Sequence, residues 1–382
     1  MVYDYAIIGA GAAGLQLALA MTEDAFFADK NILILEPDSK VVNDKTWSFW
    51  EKGRGKYDDI LFAAWDTALF YGGGKQLELP LGEYQYKTLR AIDFYNYAKG
   101  QFQKNSNITW ISEEVVDIKE GDYVNISAQN QYTAQYVFDS RLTISLEALQ
   151  RSNGVLQHFL GWEIKAMAEV FDPNSFTMMD YRLKYGETAS FTYVLPSSKT
   201  KALVEFTFFS PDPVEKEEYE QMLGRYIAEH LQVDKYSIEA VEQGVIPMFD
   251  YPFHSHSTDR IIKIGTAGGW VKASSGYSFK SSGNKCKRLV ENIKKKKPLT
   301  TGLYSKRHAL YDSTFLKVLE KENHLGEDIF TIMYSENDIE TVFAFLDEET
   351  SFLQEVGLMN TLPKAKFGKA MASVVLSLGR SA

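Results

Sequence analysis

An α/β fold with a β-rich insertion and a helical C-terminal region is predicted by three features of the chain. Residues 3–36 have the pattern of a strand, a glycine turn, a helix and a second strand. Residues 155–250 are rich in alternating strand-like segments, and apolar residues after about residue 300 recur with helical spacing. We expect a discontinuous first domain, a β-rich domain and a helical region, comprising residues 1–150 with 255–300, residues 151–254, and residues 301–382.

The first glycine turn lies between a strand and a helix. Gly9 permits a tight turn, Gly11 lets backbone amides approach a pyrophosphate, and Gly14 lets the helix pack closely on the sheet. Glu36 ends the next apolar run, 22 positions after Gly14, where a carboxylate binds a ribose hydroxyl and repels a 2′-phosphate. The pattern predicts FAD or NAD with its phosphates at the helix N-terminus, against the alternative of a purely structural turn.

Composition limits the classes of partner. The 382 residues are 45% hydrophobic, which allows a large core, and the length favours two closely joined domains. A net charge of −10 argues against nucleic acid as a partner. The single cysteine, Cys286, excludes a multi-cysteine metal site and fits a reducing cytoplasm. The sequence shows neither a signal peptide nor an apolar run of ~20 residues, so any membrane contact is expected to be peripheral.

The remaining elements follow in chain order. Strands are expected in five segments, residues 108–111, 123–127, 136–139, 191–195 and 202–209. An amphipathic helix is expected at residues 215–231. One more strand, residues 261–264, runs into a second glycine turn that contains Gly265, Thr266, Gly268 and Gly269.

This layout resembles the flavoproteins related to glutathione reductase and the aromatic hydroxylases. The resemblance implies a Rossmann-type FAD-binding fold in which the late glycine turn contacts the ribityl chain of FAD. In that class the late turn usually contains a Gly-Asp pair, whereas Thr266 occupies the aspartate position here. This departure weakens the case for an ordinary hydroxylase.

Further motifs resemble the lycopene cyclases of the bacterial soluble-fold type, which are similar to the plant enzymes. They are residues 43–50, 138–141, 157–162, 179–182 and 264–279. The resemblance spans about residues 3–355 and implies a lycopene β-cyclase, which converts lycopene through γ-carotene to β-carotene. It also implies that reduced FAD is needed although the net reaction is an isomerisation, and NAD(P)H is the expected electron source.

Cyclisation of a polyene end begins with protonation of an unactivated alkene, which needs a strong acid in a dry pocket. Glu205 lies in an otherwise apolar strand, where the period of two places Leu203 and Thr207 on its face. The resemblance assigns Glu205 the role of the acid. The alternative is an exposed carboxylate or one paired with an arginine such as Arg182.

Residues 345–351 resemble a glutamate motif of the plant cyclases in their letters. They follow the flavin-turn motif and contain three successive acids, which repel one another if buried together. We therefore interpret this segment as a solvated helix end.

Stabilising a carbocation calls for aromatic faces and negative charge. Trp47, Phe49, Trp50, Trp270 and Tyr277 are candidates for the faces, against simple core packing, and reduced flavin would add charge.

Three charged groups have weaker assignments. Asp180 and Arg182 are expected to form an orienting ion pair, and His158 is expected to be a structural histidine. No residue is assigned to the removal of the final proton, and no oligomeric state is predicted.

The basic run at residues 285–297 could hold the protein against an anionic membrane surface, where lycopene dissolves, or it could be a solvated helix end. Two other functions remain open: a flavin monooxygenase or halogenase acting on a hydrophobic substrate, and a flavoprotein reductase of isoprenoid chains.

Overall fold

The computed structural model describes residues 1–381. Its strands are β1 (Val2–Ile8), β2 (Ile32–Leu35), β3 (Thr46–Lys52), β4 (Ala63–Trp65), β5 (Thr67–Gly72), β6 (Lys75–Pro80), β7 (Tyr84–Arg90), β8 (Ile108–Ile111), β9 (Asp117–Glu120), β10 (Val124–Ser127), β11 (Gln131–Asp139), β12 (Gly154–Ala166), β13 (Ser175–Asp180), β14 (Ala189–Pro196), β15 (Lys201–Ser210), β16 (Tyr236–Phe249) and β17 (Ile261–Lys263). Its α-helices are α1 (Ala12–Thr22), α2 (Ala91–Phe102), α3 (Leu146–Leu149), α4 (Lys216–Glu229), α5 (Phe279–Lys294), α6 (Lys306–Lys321), α7 (Gly326–Ser335), α8 (Ile339–Leu346), α9 (Phe352–Thr361) and α10 (Lys364–Ser381). Residue 382 of the predicted helical region lies outside the described residues.

The first sheet has the strand order β8-β2-β1-β11-β10-β9, with β17 beside β11. The strands around β1 are parallel, whereas β9 and β10 add to one edge in antiparallel fashion. Alternate apolar residues of β1 and β2 share one hydrophobic core with α1, α2 and α5, and the others are buried on the opposite face in a core with residues of β10 and β11. This burial of continuous apolar runs is typical of parallel strands covered by helices.

The second sheet has the order β16-β12-β15-β14-β13-β5-β6. Strand β13 pairs antiparallel with β14 on one side and parallel with β5 on the other. Residues 67–80 therefore extend the β-rich sheet, although the domain prediction assigned residues 1–150 to the first domain. This sheet therefore draws strands from both sides of residue 150. The predicted domain limits themselves stay a prediction.

A third, smaller sheet has the strand order β3-β7-β4. In this sheet Trp47 of β3 is paired with Leu89 of β7. Strand β7 ends at Arg90, and α2 begins at the next residue. Strand β3 contributes to two hydrophobic cores, because Phe49 packs with the helices of the first sheet and Trp50 packs with residues of the second sheet.

The two faces of the second sheet are covered by different helices. Val204, Phe206 and Phe208 pack with α4 on one face. On the other face, Phe209 and neighbouring side chains pack with α6, α7, α8 and α9. Among residues 1–381 there is no helix with the length and apolar character needed to cross a membrane.

Candidate active site

The first glycine turn has the geometry that its three glycines predict. Gly9 has a φ of +94°, and a Cβ on Gly14 would clash with the carbonyl oxygen of Gly9. Gly11 lies at the N-terminus of α1 without a side-chain cap, and a Cβ on it would meet nothing within 4 Å. The backbone N–H groups of α1 therefore face open space, as a pyrophosphate site requires.

Glu36 lies beside this turn at the carboxyl end of β2. The backbone N–H of Ala10 donates to Glu36 Oε2 at 2.7 Å, and that of Asp38 donates to Oε1 at 3.0 Å. Both bonds fix the buried carboxylate next to the glycine turn. Its position fits the predicted contact with a ribose.

The second glycine turn adjoins the first. Gly265 has a φ of +59°, and a Cβ on it would lie 3.2 Å from the Ala13 Cβ at the start of α1. Gly269 has a φ of +66° and ends the 3₁₀ turn Gly265–Gly268, which contains Thr266. One dinucleotide ligand could therefore contact both turns.

An ion-pair cluster that the sequence did not predict fixes the ends of the strands beside these turns. Asp139 is fully buried and accepts hydrogen bonds from Arg141 Nε at 2.9 Å and Lys263 Nζ at 2.8 Å. These cations lower the pKa of Asp139 against the effect of its burial. The cluster connects the end of β11 to the end of β17 just before the second turn.

Glu205 faces a cavity of about 130 Å³. Thr207 Oγ1 donates to its Oε1 at 2.8 Å. Burial is the main cause that raises the pKa of Glu205 to about 8, and the nearby Glu242 adds to the increase. The carboxyl group is therefore mostly protonated at neutral pH, as the predicted acid must be.

The walls of this cavity come from distant parts of the chain. Trp47 and Ser48 of β3 form one part, and Gln157 of β12 forms another. Ser275 and Tyr277, from the segment after the second glycine turn, also line the cavity. Three of the sequence motifs named above thus meet at Glu205.

Two buried polar atoms in this wall lack a hydrogen-bond partner. They are Gln157 Oε1 and Ser275 Oγ. Gly276 makes room for the first, because a Cβ there would clash with Gln157 Oε1. Buried polar groups are normally paired, so these two atoms are candidates for contact with a ligand.

A group of tyrosines lies at the inner end of the cavity. The hydroxyls of Tyr86 and Tyr277 are 3.0 Å apart, and Tyr193 lines the same cavity. Burial raises the pKa of each phenol well above its ordinary value. Trp50 stands against Tyr277 with ring centroids 4.5 Å apart. The sequence identified Trp50 and Tyr277 but not Tyr86 or Tyr193.

A second cavity, of about 230 Å³, begins on the other side of these tyrosines. Tyr193, Ser275 and Tyr277 line both cavities. The other walls of the second cavity are mainly apolar and include Met179 of β13, Phe330 of α7, Met359 of α9 and Phe367 of α10. The Glu205 cavity thus shares part of its wall with a mainly apolar cavity that the C-terminal helices help to form.

A comparison of the sequence with known protein families agrees with the resemblance described above. The sequence model of the lycopene cyclase protein family matches residues 4–372. The chain belongs to the lycopene cyclase family.

Solved structures similar to this lycopene cyclase family member have low sequence identity. A geranylgeranyl bacteriochlorophyll reductase-like protein from Thermoplasma acidophilum is 13% identical, with a TM-score of 0.62 and 98% of both chains covered. A mutant of the halogenase PltM in complex with FAD is 12% identical, with a TM-score of 0.60, 98% of this chain and 86% of that chain covered. The OxyS anhydrotetracycline hydroxylase from Streptomyces rimosus is 13% identical, with a TM-score of 0.58, and the match covers 91% of this chain and 76% of that chain. No curated protein matches the chain. The predicted fold class is confirmed.

In this member of the lycopene cyclase family, the ion pair of Asp180 and Arg182 forms away from the Glu205 cavity. Arg182 Nε donates to Asp180 at 3.0 Å, and the Tyr226 hydroxyl of α4 donates to the same carboxylate at 2.6 Å. Asp180 is aligned with Thr192 and Phe206 across the sheet, on the face opposite Glu205. The expected ion pair is thus present, and it connects the sheet to α4.

His158 lies on that same face and is buried. Its ring nitrogens contact the hydroxyls of Tyr219 and Ser210. Burial lowers the pKa of His158 to about 4, so the ring is neutral. This agrees with the interpretation of a structural histidine.

The acidic segment at residues 345–351 is only partly solvated. Glu348 and Glu349 are exposed, as expected for a helix end. Asp347 accepts a hydrogen bond from Trp50 Nε1 at 2.6 Å and pairs with Lys280, and burial raises its pKa to about 6. It lies on a different cavity from Glu205.

Glu242 is a site residue that sequence analysis missed. It lines the Glu205 cavity from β16, where residues 242, 244 and 246 are less exposed than their neighbours. The sequence contained no signal for this face, because the exposed positions carry Val241 and Val245 while Glu242 faces the cavity.

Proposed function

We propose that the chain is a lycopene β-cyclase, which converts linear ends of lycopene to β-ionone rings by acid-initiated cyclisation without net redox change. The observation that carries the proposal is the junction of the two cavities. The first cavity contains Glu205, whose pKa of about 8 keeps its carboxyl group mostly protonated at neutral pH. The second is mainly apolar, and Tyr193, Ser275 and Tyr277 line both.

Glu205 fits the first chemical step. A protonated carboxyl group can donate to an alkene carbon only where water does not compete for the proton. Glu205 is half-buried at the cavity, so a bound apolar substrate would displace the remaining water. Thr207 holds one carboxyl oxygen at 2.8 Å, which leaves the other free to point its proton at a substrate. General acid catalysis of this kind typically contributes about 10²-fold to 10⁴-fold in rate.

The apolar channel supports a polyene as the substrate. Its walls expose thioether, aromatic and aliphatic groups, which make no specific hydrogen bonds to a hydrocarbon but favour its transfer from water. Lycopene is much longer than the cavity is wide, so the end of the chain that is not reacting would extend out between α9 and α10.

The residues around the two glycine turns fit FAD. Gly9, Gly11, Gly14 and Glu36 would hold the pyrophosphate and the ribose, and the second turn, with Gly265, Thr266, Gly268 and Gly269, would hold the ribityl chain. The orphan atoms of Gln157 and Ser275 would meet the polar edge of the ring system. When bound in its reduced form, FAD would supply negative charge near the reacting carbons. NAD(P)H is the electron source that we propose.

A lipid surface is the partner that we propose for the channel mouth. The helix α9 lines the channel and also exposes Phe352 and Leu353, which are 57% and 82% exposed. The basic run at residues 285–297 is partly neutralised, because Lys294 pairs with Asp24 and Lys295 with Glu291. We therefore place the contact at α9 and α10 rather than at the basic run.

The proposal is tested by anaerobic incubation of the purified protein with lycopene in liposomes. Parallel samples contain chemically reduced FAD, NADPH with oxidised FAD, or oxidised FAD alone, and carotenoids are analysed by chromatography and mass spectrometry. Products with the mass of lycopene and a shifted retention time, absent with Glu205→Gln, would support the cyclase.

The alternatives give different products. A product two hydrogens heavier would identify a reductase of isoprenoid chains, a function favoured by the similarity to the reductase-like protein from Thermoplasma acidophilum. Unchanged lycopene under these conditions, with oxygen consumed when air is admitted, would refute the cyclase in favour of a monooxygenase.

A further inference from the structure

Glu205 is not the only carboxyl group of its cavity. Glu205 of β15 and Glu242 of β16 are both opposite Gly161 of the intervening strand β12. Directly opposed residues of antiparallel strands share one face of a sheet, so the two carboxyl groups emerge on the same side. Both line the 130 Å³ cavity.

Gly161 keeps the space between the two glutamates open. A Cβ on Gly161 would lie 3.3 Å from the Glu205 Cβ and 3.0 Å from a methyl carbon of Leu203. Two strand spacings separate the Cα atoms of the two glutamates by about 10 Å. Their side chains can therefore reach opposite sides of a ring-sized group held between them.

The two carboxyl groups have different hydrogen-bond partners. Glu205 accepts a bond from a hydroxyl, that of Thr207. Glu242 accepts a bond at 2.9 Å from the backbone N–H of Thr46, next to Trp47. Burial raises the pKa of Glu242, and the Thr46 bonds and the charge of Lys45 oppose this increase by favouring the ionised form.

We propose that Glu242 is the second catalytic carboxyl group of this site and accepts the proton that the substrate releases after ring closure. This inference rests on the proposed function. It assigns the step for which the sequence offered no residue. Pairs of carboxyl groups whose environments separate their protonation states are the usual arrangement for one acid and one base.

The steps balance in atoms and electrons. The Glu205 proton forms a C–H bond at a terminal alkene carbon, and the next alkene attacks the resulting tertiary cation to form the ring C–C bond. A ring C–H bond then breaks, its electron pair forms the ring double bond, and its proton goes to a Glu242 oxygen. No electron enters or leaves. Glu242 then releases its proton to water, and Glu205 takes one up.

The test compares the wild type with Glu242→Gln under the anaerobic assay in D₂O, with Glu239→Gln as the matched control. Glu239 lies in the same strand, but its exposed carboxylate pairs with Lys201 at 2.6 Å. We expect Glu242→Gln to lose about 10²-fold in rate. The cation then reverts to the alkene by losing a hydron from the carbon that Glu205 deuterated; where the original hydrogen leaves to Glu205, deuterium stays in the recovered lycopene.

The deuterium readout separates a base from a structural residue. A fold or packing defect lowers the rate without labelling the recovered lycopene, and that result would overturn the proposal, as would a wild-type rate. If Glu242→Gln does not bind FAD or does not fold, Glu242→Asp is read in its place by the same two criteria. A wild-type protein that leaves lycopene unchanged would instead remove the proposed function itself.

Discussion

Replacing Glu205 by glutamine should stabilise the protein while it abolishes cyclisation. The pKa of Glu205 is raised from 4.5 to about 8 by burial and by Glu242. Because the folded value lies above the unfolded one, the unfolded chain loses its proton first as the pH rises, and folding stability falls between pH 4.5 and 8. This linkage destabilises the folded protein by about 3 kcal/mol at pH 7 and about 1 kcal/mol at pH 5. Glutamine stays neutral, keeps the shape and can still accept the Thr207 bond.

The assay is urea denaturation of the wild type and Glu205→Gln at pH 5 and pH 7, with the same FAD concentration throughout because a bound ligand shifts apparent stability. The exposed pair of Glu239 with Lys201 provides the control, since Glu239→Gln should change stability by less than about 0.5 kcal/mol at either pH. A Glu205→Gln variant that is less stable than the wild type at pH 7 would refute the reasoning. That result would mean that Glu205 is an ionised carboxylate with a favourable partner, which is the alternative that the sequence left open.

Three further predictions follow from the geometry. Gly11→Val should leave stability within about 0.5 kcal/mol of the wild type, because a Cβ there meets nothing within 4 Å, but it should abolish FAD binding, as measured by flavin fluorescence; loss of the fold would contradict this. Asp180→Asn should lower stability by about 2 kcal/mol, because it removes charged hydrogen bonds to Arg182 and Tyr226, while the rate per folded molecule stays within about twofold in the lycopene assay. Leu353→Asp should reduce flotation with anionic liposomes without changing FAD binding, and unchanged flotation would remove α9 from the membrane surface.

The sequence predicted correctly those structural features that depend only on residues close together in the chain. The period of two in residues 202–209 separated Glu205 from Val204 and Phe206, and the structure confirms that the two sets face different sides of the second sheet. The glycine spacing likewise predicted the turn before α1, since only glycine tolerates the φ of +94° at Gly9 without strain. Both properties are encoded within a few residues.

Pairing between distant strands could not be predicted in the same way. Strand β5 joins the second sheet through parallel pairing with β13, which lies about a hundred residues later. In β13 the register shifts between Thr177 and Asp180, so the face on which Asp180 lies cannot be counted from the sequence. The opposition of Glu205 and Glu242 depends on two such pairings with β12, which explains why Glu242 was missed.

The tyrosines that line the Glu205 cavity affect the lifetime of the carbocation, which an acid alone does not control. A phenolate within reach would trap a tertiary carbocation, whereas the face of an aromatic ring stabilises it. Tyr86, Tyr193 and Tyr277 line the Glu205 cavity, where their rings can offer such faces, and the hydroxyls of Tyr86 and Tyr277 are 3.0 Å apart. Burial keeps all three phenols protonated, so none presents a phenolate to the cation. The same burial that makes Glu205 a competent acid therefore also prevents its neighbours from acting as nucleophiles.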